Sequence, residues 1–300
     1  MHILSLKDIS RDGNSHILDR AAAYLQNLRQ KAEIPAVLKK KVILNAFFED
    51  STRTRVSFEM AALRLGATVI PFSVASSSLK KGEDIIDTLK TLAAMHPDAF
   101  VVRATQDQMP QWAAEHMNCP VLNAGNGTQE HPTQALLDAL TLREHFGCLE
   151  NLKIAICGDI RHSRVAGSNI LLLQKYGAQI RLVGPESLLP EDRQAALHYS
   201  TELNEALEDV DVVMMLRIQK ERLQKDIGFT DADYFAQYGL TSARLEKYAP
   251  HAMVMHPGPM NRGIEISAEV ADDPDRSLIL KQVEANVTVR MACLEEAILN

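Results

Sequence analysis

The chain has 300 residues, 46% of them hydrophobic and 24% charged, a composition that is ordinary for a globular protein and predicts about two domains. Its formal net charge of −7 argues against a nucleic-acid or membrane partner, and no apolar run reaches the length of a membrane span. The four cysteines lie far apart, which argues against a metal site or a disulfide framework, and the first residues lack the features of a signal peptide, so we expect a cytoplasmic protein.

Short apolar runs alternate with amphipathic helical patterns along the chain. The predicted strands cover residues 42–48, 68–72, 99–103, 121–123, 153–157, 179–183, 211–216 and 252–256. The helical patterns between them include residues 83–94, 133–145 and 165–176. This alternation is typical of parallel sheets covered by helices on both faces, and the strands would suit one barrel or two doubly wound sheets.

We prefer the two-sheet arrangement. The helical pattern of residues 131–146 ends at Gly147, a natural C-cap, and is a candidate bridge between domains. The prediction is therefore an α/β fold of two doubly wound parallel-sheet domains joined by helices, with residues 1–146 in the first domain and 147–279 in the second. The last run, residues 275–299, also predicts a helix, and its part from about residue 280 to 300 is expected to pack back on the first domain.

The densest polar motif is Ser51-Thr52-Arg53-Thr54-Arg55, where a predicted strand turns into a predicted helix. The N-terminus of a helix offers unpaired N–H groups and the positive end of the helix dipole. Three hydroxyl groups and two guanidinium groups added there predict a cup for a phosphate. A simple N-cap is the alternative, but it explains one hydroxyl rather than five anion-binding side chains.

Two further features of the first half carry positive charge. The Ser/Lys-rich segment 76–81 suits a mobile loop that grips an anion, although a solvated surface loop has the same composition. Arg103 ends a predicted buried strand, where α/β proteins bind ligands. The alternative for Arg103 is a pair with a neighbouring carboxylate such as Asp107.

A histidine and a glutamine follow a glycine-containing approach to a predicted helix. Pro132 fits the first helical position, which places His131 at the cap and Gln134 one turn later, aimed the same way. A histidine at a helix N-terminus tends to stay neutral and can donate a hydrogen bond to a carbonyl oxygen. A capping histidine without further function is the alternative.

Arginines also follow strands of the second half. Residues 157–165 contain Arg161 and Arg164 but a single glycine where a dinucleotide fingerprint needs three, which favours an anionic side chain over a pyrophosphate. Arg217 and Gln219 have the spacing of side chains on one face, and they suit a carboxylate and a directional hydrogen bond. A solvated charged loop is the alternative there.

A turn with two prolines completes the set. In His256-Pro257-Gly258-Pro259 the prolines flank a glycine directly after a predicted strand. Such a turn is rigid, and its carbonyl groups can accept hydrogen bonds from an amine or an amide. A purely structural turn is the alternative.

These motifs, taken in order, resemble the catalytic subunits of aspartate carbamoyltransferases, in the aspartate/ornithine carbamoyltransferase family. The resemblance rests on Ser51-Thr52-Arg53-Thr54, Lys81, Arg103, His131-Pro132-Thr133-Gln134, Arg164, Arg217-Ile218-Gln219 and His256-Pro257-Gly258-Pro259. The cup and the His-Pro-x-Gln motif indicate carbamoyl phosphate. The second domain indicates aspartate, because ornithine enzymes carry a His-Cys-Leu-Pro turn and because Arg164, Arg217 and Arg222 would repel a cationic substrate.

The resemblance implies transfer of the carbamoyl group of carbamoyl phosphate to the amine of L-aspartate, as in pyrimidine biosynthesis, with no cofactor and no metal. Four groups of residues are implied in the site. The phosphate is held by Ser51, Thr52, Arg53 and Thr54, and the carbamoyl oxygen by Thr54, Arg103 and His131. The carbamoyl nitrogen is held by Gln134 and the carbonyl groups of Pro257 and Gly258, and aspartate by Lys81, Arg164, Arg217 and Gln219.

The resemblance also implies a homotrimer with shared active sites, in which the loop carrying Ser78 and Lys81 reaches the neighbouring subunit. Whether Ser77 and Lys80 enter that site instead stays open, because the loop is one residue shorter than in some relatives. A higher assembly with regulatory or dihydroorotase-type chains is compatible with the sequence. The rival hypotheses are a carbamoyltransferase with another acceptor, an inactive assembly subunit and a nucleotide-binding oxidoreductase.

Overall fold

The structure, a computed structural model, describes residues 1–73, 84–218 and 228–300. The chain divides into two compact units, the first made of residues 1–140 and 284–300 and the second of residues 141–283. The predicted site residues Ser78, Lys81 and Gln219 lie outside the described residues, as does the whole segment 76–81.

The first unit is built on a four-stranded parallel sheet in the order β2-β1-β3-β4. Its strands are β1 (Val42–Phe47), β2 (Thr68–Ser73), β3 (Ala99–Ala104) and β4 (Val121–Asn126). The helices of this part of the chain are α1 (Arg11–Arg29), α2 (Thr52–Arg64), α3 (Ile85–Ala93), α4 (Met109–His116) and α5 (Pro132–Phe146). Every residue of β3 and β4 is buried, which explains why these strands read as continuous runs rather than as alternating patterns.

The second unit is built on a five-stranded parallel sheet in the order β7-β6-β5-β8-β9. Its strands are β5 (Lys153–Cys157), β6 (Gln179–Val183), β7 (His198–Ser200), β8 (Val212–Met215) and β9 (Met253–Met255). Its described helices are α6 (Arg164–Lys175), α7 (Leu203–Ala206), α8 (Asp231–Tyr238), α9 (Ser242–Tyr248) and α10 (Ala268–Ala271), with a 3-10 turn at Glu186–Leu188. The last helix, α11 (Ile279–Leu299), begins in this unit, and most of its residues belong to the first.

Each sheet has a point at which the strand order reverses. In the first unit β1 leads to β2 on one side and β3 leads to β4 on the other, so the reversal lies between β1 and β3. In the second unit it lies between β5 and β8 for the same reason. Open α/β sheets bind ligands outside the carboxyl ends of the strands at such a point. The two topologies therefore select the segments that follow β1, β3, β5 and β8.

The end of α11 packs in the first unit. The carboxylate of Glu295 accepts hydrogen bonds from Arg20 Nε at 2.6 Å and from the Tyr24 hydroxyl at 2.7 Å, and both donors lie on α1. Arg29 pairs with Glu284 at 2.8 Å. These contacts confirm that the C-terminal helix packs on the N-terminal part of the chain, and the two separate sheets exclude the barrel.

Two elements differ from the sequence prediction. The short strand β7 has only three residues, too few for a periodic signal, and was not predicted. The last helix begins at Ile279 rather than at residue 275, because the Asp273 carboxylate accepts hydrogen bonds from the backbone N–H groups of Asp275 and Arg276 and holds them in a turn. None of the described helices is long and apolar enough to cross a membrane.

Candidate functional site

The N-terminus of α2 lies at the strand reversal of the first unit. Ser51 occupies the N-cap position in an extended conformation, yet within the described residues its hydroxyl makes no capping hydrogen bond. Thr52 and Arg53 are exposed, whereas Thr54 is buried. The first turn contains no acidic side chain that would neutralise the helix dipole. Ser51 therefore has the position of an N-cap without the side-chain capping bond, and no acidic side chain of the first turn balances the positive end of the helix dipole.

Arg103 joins the two sides of this reversal. Its Nη1 donates to the Ala124 carbonyl at 3.1 Å and lies 3.4 Å from the Thr54 hydroxyl oxygen. Its Nε lies 2.7 Å from a carboxylate oxygen of Glu49, which follows β1. Arg103 is 9% exposed, and Glu49 balances its charge in this buried position. Arg103 therefore does two things. It faces the first turn of α2, and it forms an ion pair with the carboxylate of Glu49.

The loop between β4 and α5 is held by two carboxylates. At Gly127, where φ is +44°, a Cβ would lie 1.7 Å from an oxygen of Asp107, so only glycine fits. That oxygen accepts a hydrogen bond from the Thr128 N–H. The Glu130 carboxylate accepts one from the Leu6 N–H at 2.9 Å, which ties the N-terminal segment to the loop. The loop that leads to the predicted histidine is therefore fixed from both sides.

His131 and Gln134 are both buried at the start of α5, which begins at Pro132 as predicted. The Gln134 amide nitrogen donates to the fully buried Asp138 carboxylate at 3.0 Å. A carboxylate oxygen accepts this hydrogen bond, so Asp138 fixes the orientation of the Gln134 amide at the start of α5.

In the second unit the strand reversal is closely packed. Gly158 follows β5 with φ at +127°, and a Cβ there would lie 3.1 Å from the Leu216 carbonyl oxygen, so the backbones after β5 and β8 approach closely. The buried Asp159 carboxylate lies 2.9 Å from Nδ1 of His162 and accepts from the backbone N–H of the same residue.

The two arginines of this segment have different surroundings. Arg161 pairs with Glu191 at 2.5 Å, and both side chains are largely exposed. Arg164 is the first residue of α6, after Ser163, whose hydroxyl caps the helix by accepting from the Ala166 N–H at 3.1 Å. Arg164 is therefore held at a helix N-terminus beside the strand reversal, where an anionic ligand is favoured.

Arg217 follows β8 on the other side of this reversal. It is exposed, whereas its neighbours Leu216 and Ile218 are buried, which is the alternation expected of an extended segment. The Ile218 carbonyl accepts a hydrogen bond from the Asn261 side-chain amide at 2.8 Å and so links this segment to the turn after β9.

The turn after β9 is held from inside the unit. Nδ1 of His256 accepts from the Gly258 N–H at 2.8 Å, so the ring proton sits on Nε2 and is donated to Glu265, 3.2 Å away. Both side chains of this pair are fully buried. Gly258 has φ at +63°, a conformation that favours glycine. Pro257 and Gly258 are half-buried at the surface of the unit.

The structure thus brings Thr54 and Arg103 together and places His131 and Gln134 at the start of α5, after the next strand. Three acidic residues that contact predicted site segments were not predicted. Glu49 pairs with Arg103, Asp138 holds Gln134, and Glu265 holds His256 before the turn. Each is an acidic residue close to apolar side chains in the sequence, such as Glu265 between two isoleucines. An acidic residue in such a position indicates a buried pair, because an ionised carboxylate is rarely buried without a partner.

Two parallel-sheet units with arginines beside both strand reversals match the two domain models of one protein family. The family model "Aspartate/ornithine carbamoyltransferase, carbamoyl-P binding domain" matches residues 1–144, and "Aspartate/ornithine carbamoyltransferase, Asp/Orn binding domain" matches residues 150–296. The chain belongs to the aspartate/ornithine carbamoyltransferase family.

Named relatives cover nearly the whole chain. The aspartate carbamoyltransferase catalytic subunit of Granulibacter bethesdensis is 50% identical over 98% of this chain and 93% of its own. Aspartate transcarbamoylase of Trypanosoma cruzi, solved with carbamoyl aspartate and phosphate, is 32% identical with a TM-score of 0.88 over 98% and 94% of the two chains. The catalytic subunit of the M. jannaschii enzyme is 33% identical with a TM-score of 0.88 over 99% and 98%.

Proposed function

We propose that this protein transfers the carbamoyl group of carbamoyl phosphate to the amine of L-aspartate, giving N-carbamoyl-L-aspartate and phosphate, a step of pyrimidine biosynthesis. The observation that carries the proposal is the contact between Arg103 and Thr54 at the N-terminus of α2. This contact supports the proposal because a buried cation lies beside the turn that we assign to the phosphate, and carbamoyl phosphate carries its phosphate directly on a polarisable carbonyl group.

The first unit binds carbamoyl phosphate in this proposal. Ser51, Thr52, Arg53 and Thr54 hold the phosphate group. Thr54, Arg103 and His131 donate to the carbamoyl oxygen, where negative charge develops as the amine attacks. The Gln134 carbonyl oxygen, set by Asp138, accepts from the carbamoyl NH₂ group, and the carbonyl groups of Pro257 and Gly258 accept from it as well.

The second unit binds aspartate. Arg164 and Arg217 can each hold a carboxylate through two parallel hydrogen bonds, and Gln219 adds a directional one. The same guanidinium groups repel the cationic side chain of ornithine. Lys81 completes the aspartate site in the proposal, from the loop of a neighbouring chain that also carries Ser78.

The reaction consists of positioning and charge stabilisation. The aspartate amine attacks the carbonyl carbon, the C–O bond to the phosphate breaks, and the leaving phosphate accepts the proton that the amine loses. Holding both reactants in the attacking geometry supplies a large part of the rate, and the donors to the carbamoyl oxygen supply another. Each of these steps uses groups of the chain and of the two substrates.

The proposal includes a cytoplasmic homotrimer. An exposed apolar stripe along α2, made of Val56, Met60 and Leu63, supports self-association because these side chains recur at the spacing of one helix face. All four cysteines are free thiols, as is usual in a reducing compartment. A native mass of three chains is the expected result, and a monomer at micromolar concentration would contradict this part.

The test of the reaction is a transfer assay with labelled carbamoyl phosphate and a set of amines. We expect product with L-aspartate and none above background with ornithine. Product with ornithine or another amine, and none with L-aspartate, would mean that this other amine is the acceptor. No transfer to any amine, with carbamoyl phosphate still bound in calorimetry, would favour the inactive subunit over the enzyme.

A further inference from the structure

Arg290 is a buried arginine that the reaction does not use directly. It lies on α11, in the part that belongs to the first unit, and is 1% exposed. Its guanidinium carbon lies 4.8 Å from the centroid of the Phe58 ring, and its Nη1 donates to the Ser57 hydroxyl oxygen. Its Nε has no hydrogen-bond partner among the described residues. Phe58 and Ser57, which both contact the cation, are uncharged.

Burying this cation opposes folding. Burial, and to a smaller degree the nearby Arg103 charge, lowers the pKa of Arg290 to about 9, so the side chain is still charged at neutral pH. An apolar side chain of similar length would fill the same space without the desolvation penalty. Packing alone therefore does not explain an arginine at this position.

Ser57 connects Arg290 to the first turn of α2. Its hydroxyl lies 2.6 Å from the carbonyl oxygen of Arg53 and 2.9 Å from that of Thr54 and donates its proton toward them. A serine hydroxyl has one proton, and a guanidinium can only donate. Because Arg290 occupies the acceptor side of the hydroxyl, the proton of Ser57 has to point toward those two carbonyl groups.

We propose that Arg290 is a positioning residue for carbamoyl phosphate, which acts through Ser57 to fix the backbone of Arg53 and Thr54. The peptide planes of this turn set the direction of its N–H groups and the starting points of both side chains. A small rotation of these planes moves the donors away from the phosphate, because hydrogen bonds weaken steeply with angle. The inference rests on the proposed function, which supplies carbamoyl phosphate as the ligand.

The test compares Arg290→Met, Arg290→Lys and Ser57→Ala with a matched control, Tyr24→Phe. Tyr24 is also buried, and its hydroxyl donates to Glu295 on α11, so the control removes a hydrogen bond to the same helix away from the Ser51–Thr54 turn. Calorimetry gives the Kd for carbamoyl phosphate and for inorganic phosphate, kinetics give both KM values, and a thermal scan gives the Tm.

We expect Arg290→Met and Ser57→Ala each to weaken carbamoyl phosphate binding by about tenfold, the loss of a little over one hydrogen bond. The double variant should bind carbamoyl phosphate no more weakly than whichever single variant binds it more weakly, because both changes act through one contact. Arg290→Lys should recover part of the affinity. Tyr24→Phe should lower the Tm and leave both Kd values within about twofold of the parent, since it breaks no contact of the turn.

Unchanged affinity in Arg290→Met, or losses that add in the double variant, would overturn the proposal and leave Arg290 as a core residue. If Arg290→Met fails to fold, Ser57→Ala decides alone, since it has to weaken binding. Calorimetry with inorganic phosphate distinguishes a failure of the positioning role of Arg290 from a failure of the proposed function. A parent protein that binds phosphate but not carbamoyl phosphate contradicts the proposed function only, and the same variants then test the positioning with phosphate.

Discussion

Arg53 and Arg55 form a matched pair for testing the phosphate site. Both are exposed in the first turn of α2, and either change to alanine removes one positive charge from the same turn. Side chains two positions apart on a helix differ by about 200°, so they leave on nearly opposite faces. Arg55 lies 3.9 Å from Glu59, one turn on, with about half of its side chain exposed. Arg53 is the one that we assign to the phosphate.

The two variants should differ widely in rate. Arg55→Ala breaks an exposed pair worth about 0.3–0.5 kcal/mol, which changes stability slightly and leaves turnover within about threefold. Arg53→Ala removes a charged donor from the group on which negative charge accumulates. Removing one such donor elsewhere costs about 2.7–4 kcal/mol, so turnover should fall by about two to three orders of magnitude.

The assay is steady-state turnover with both substrates near saturation, with circular dichroism and a thermal scan to establish that each variant is folded. A fall of less than about tenfold in Arg53→Ala would refute its assignment to the leaving phosphate. Equal losses in both variants would refute the reasoning more broadly, because the effect would then follow from net charge at the helix terminus and not from one positioned side chain.

Four further outcomes are expected. Arg217→Ala should weaken aspartate use by about tenfold or more and leave carbamoyl phosphate affinity in calorimetry nearly unchanged, and equal weakening of both ligands would contradict its place on the aspartate side. A phosphonate joined to aspartate should bind far more tightly than either substrate, since one molecule then reaches both anion sites; an affinity no better than that of aspartate would mean that the sites do not cooperate. Inactive Lys81→Ala and Arg53→Ala trimers, dissociated and reassembled as an equal mixture, should regain activity at about a quarter of the sites if sites are shared, and no recovery would place Lys81 in its own chain. Glu265→Gln should lower the free energy of unfolding by about 1–3 kcal/mol in urea, because the new NH₂ group takes the place of the Oε2 oxygen, which is buried without a hydrogen-bond partner among the described residues, and so leaves a buried donor unpaired; exposed Glu269→Gln should cost less.

The sequence was most informative where the chemistry is local. Apolar runs located eight strands, and their helical spacers indicated parallel sheets, because buried parallel strands and amphipathic helices have different periods. Pro132 located the start of α5 and with it the position of His131, since proline at the first helical position removes a donor that has no partner there. The proposed phosphate cup was predicted from five neighbouring residues, and it stays a prediction.

Contacts between distant parts of the chain could not be predicted in the same way. Glu49 and Arg103 are brought together by the adjacency of β1 and β3, and Arg290 reaches Ser57 across 233 positions. The composition around one residue of such a pair does not indicate which distant residue it contacts. The sequence suggested Asp107 as a partner for Arg103, whereas the structure supplies Glu49 for the guanidinium and engages Asp107 with the backbone of Thr128.

Two cations of the first unit, Arg103 and Arg53, lie in different surroundings. The chain is acidic as a whole, yet its strand reversal gathers cations, of which Arg103 is buried beside Glu49 and Arg53 is exposed. A buried, paired cation is held in one direction and can act on a carbonyl oxygen without reorganisation, whereas an exposed one can meet a phosphate as it arrives. Glu49 therefore contributes to the site although we assign it no contact with substrate. Removing it would leave the Arg103 charge buried without that carboxylate and would let the guanidinium turn away from Thr54.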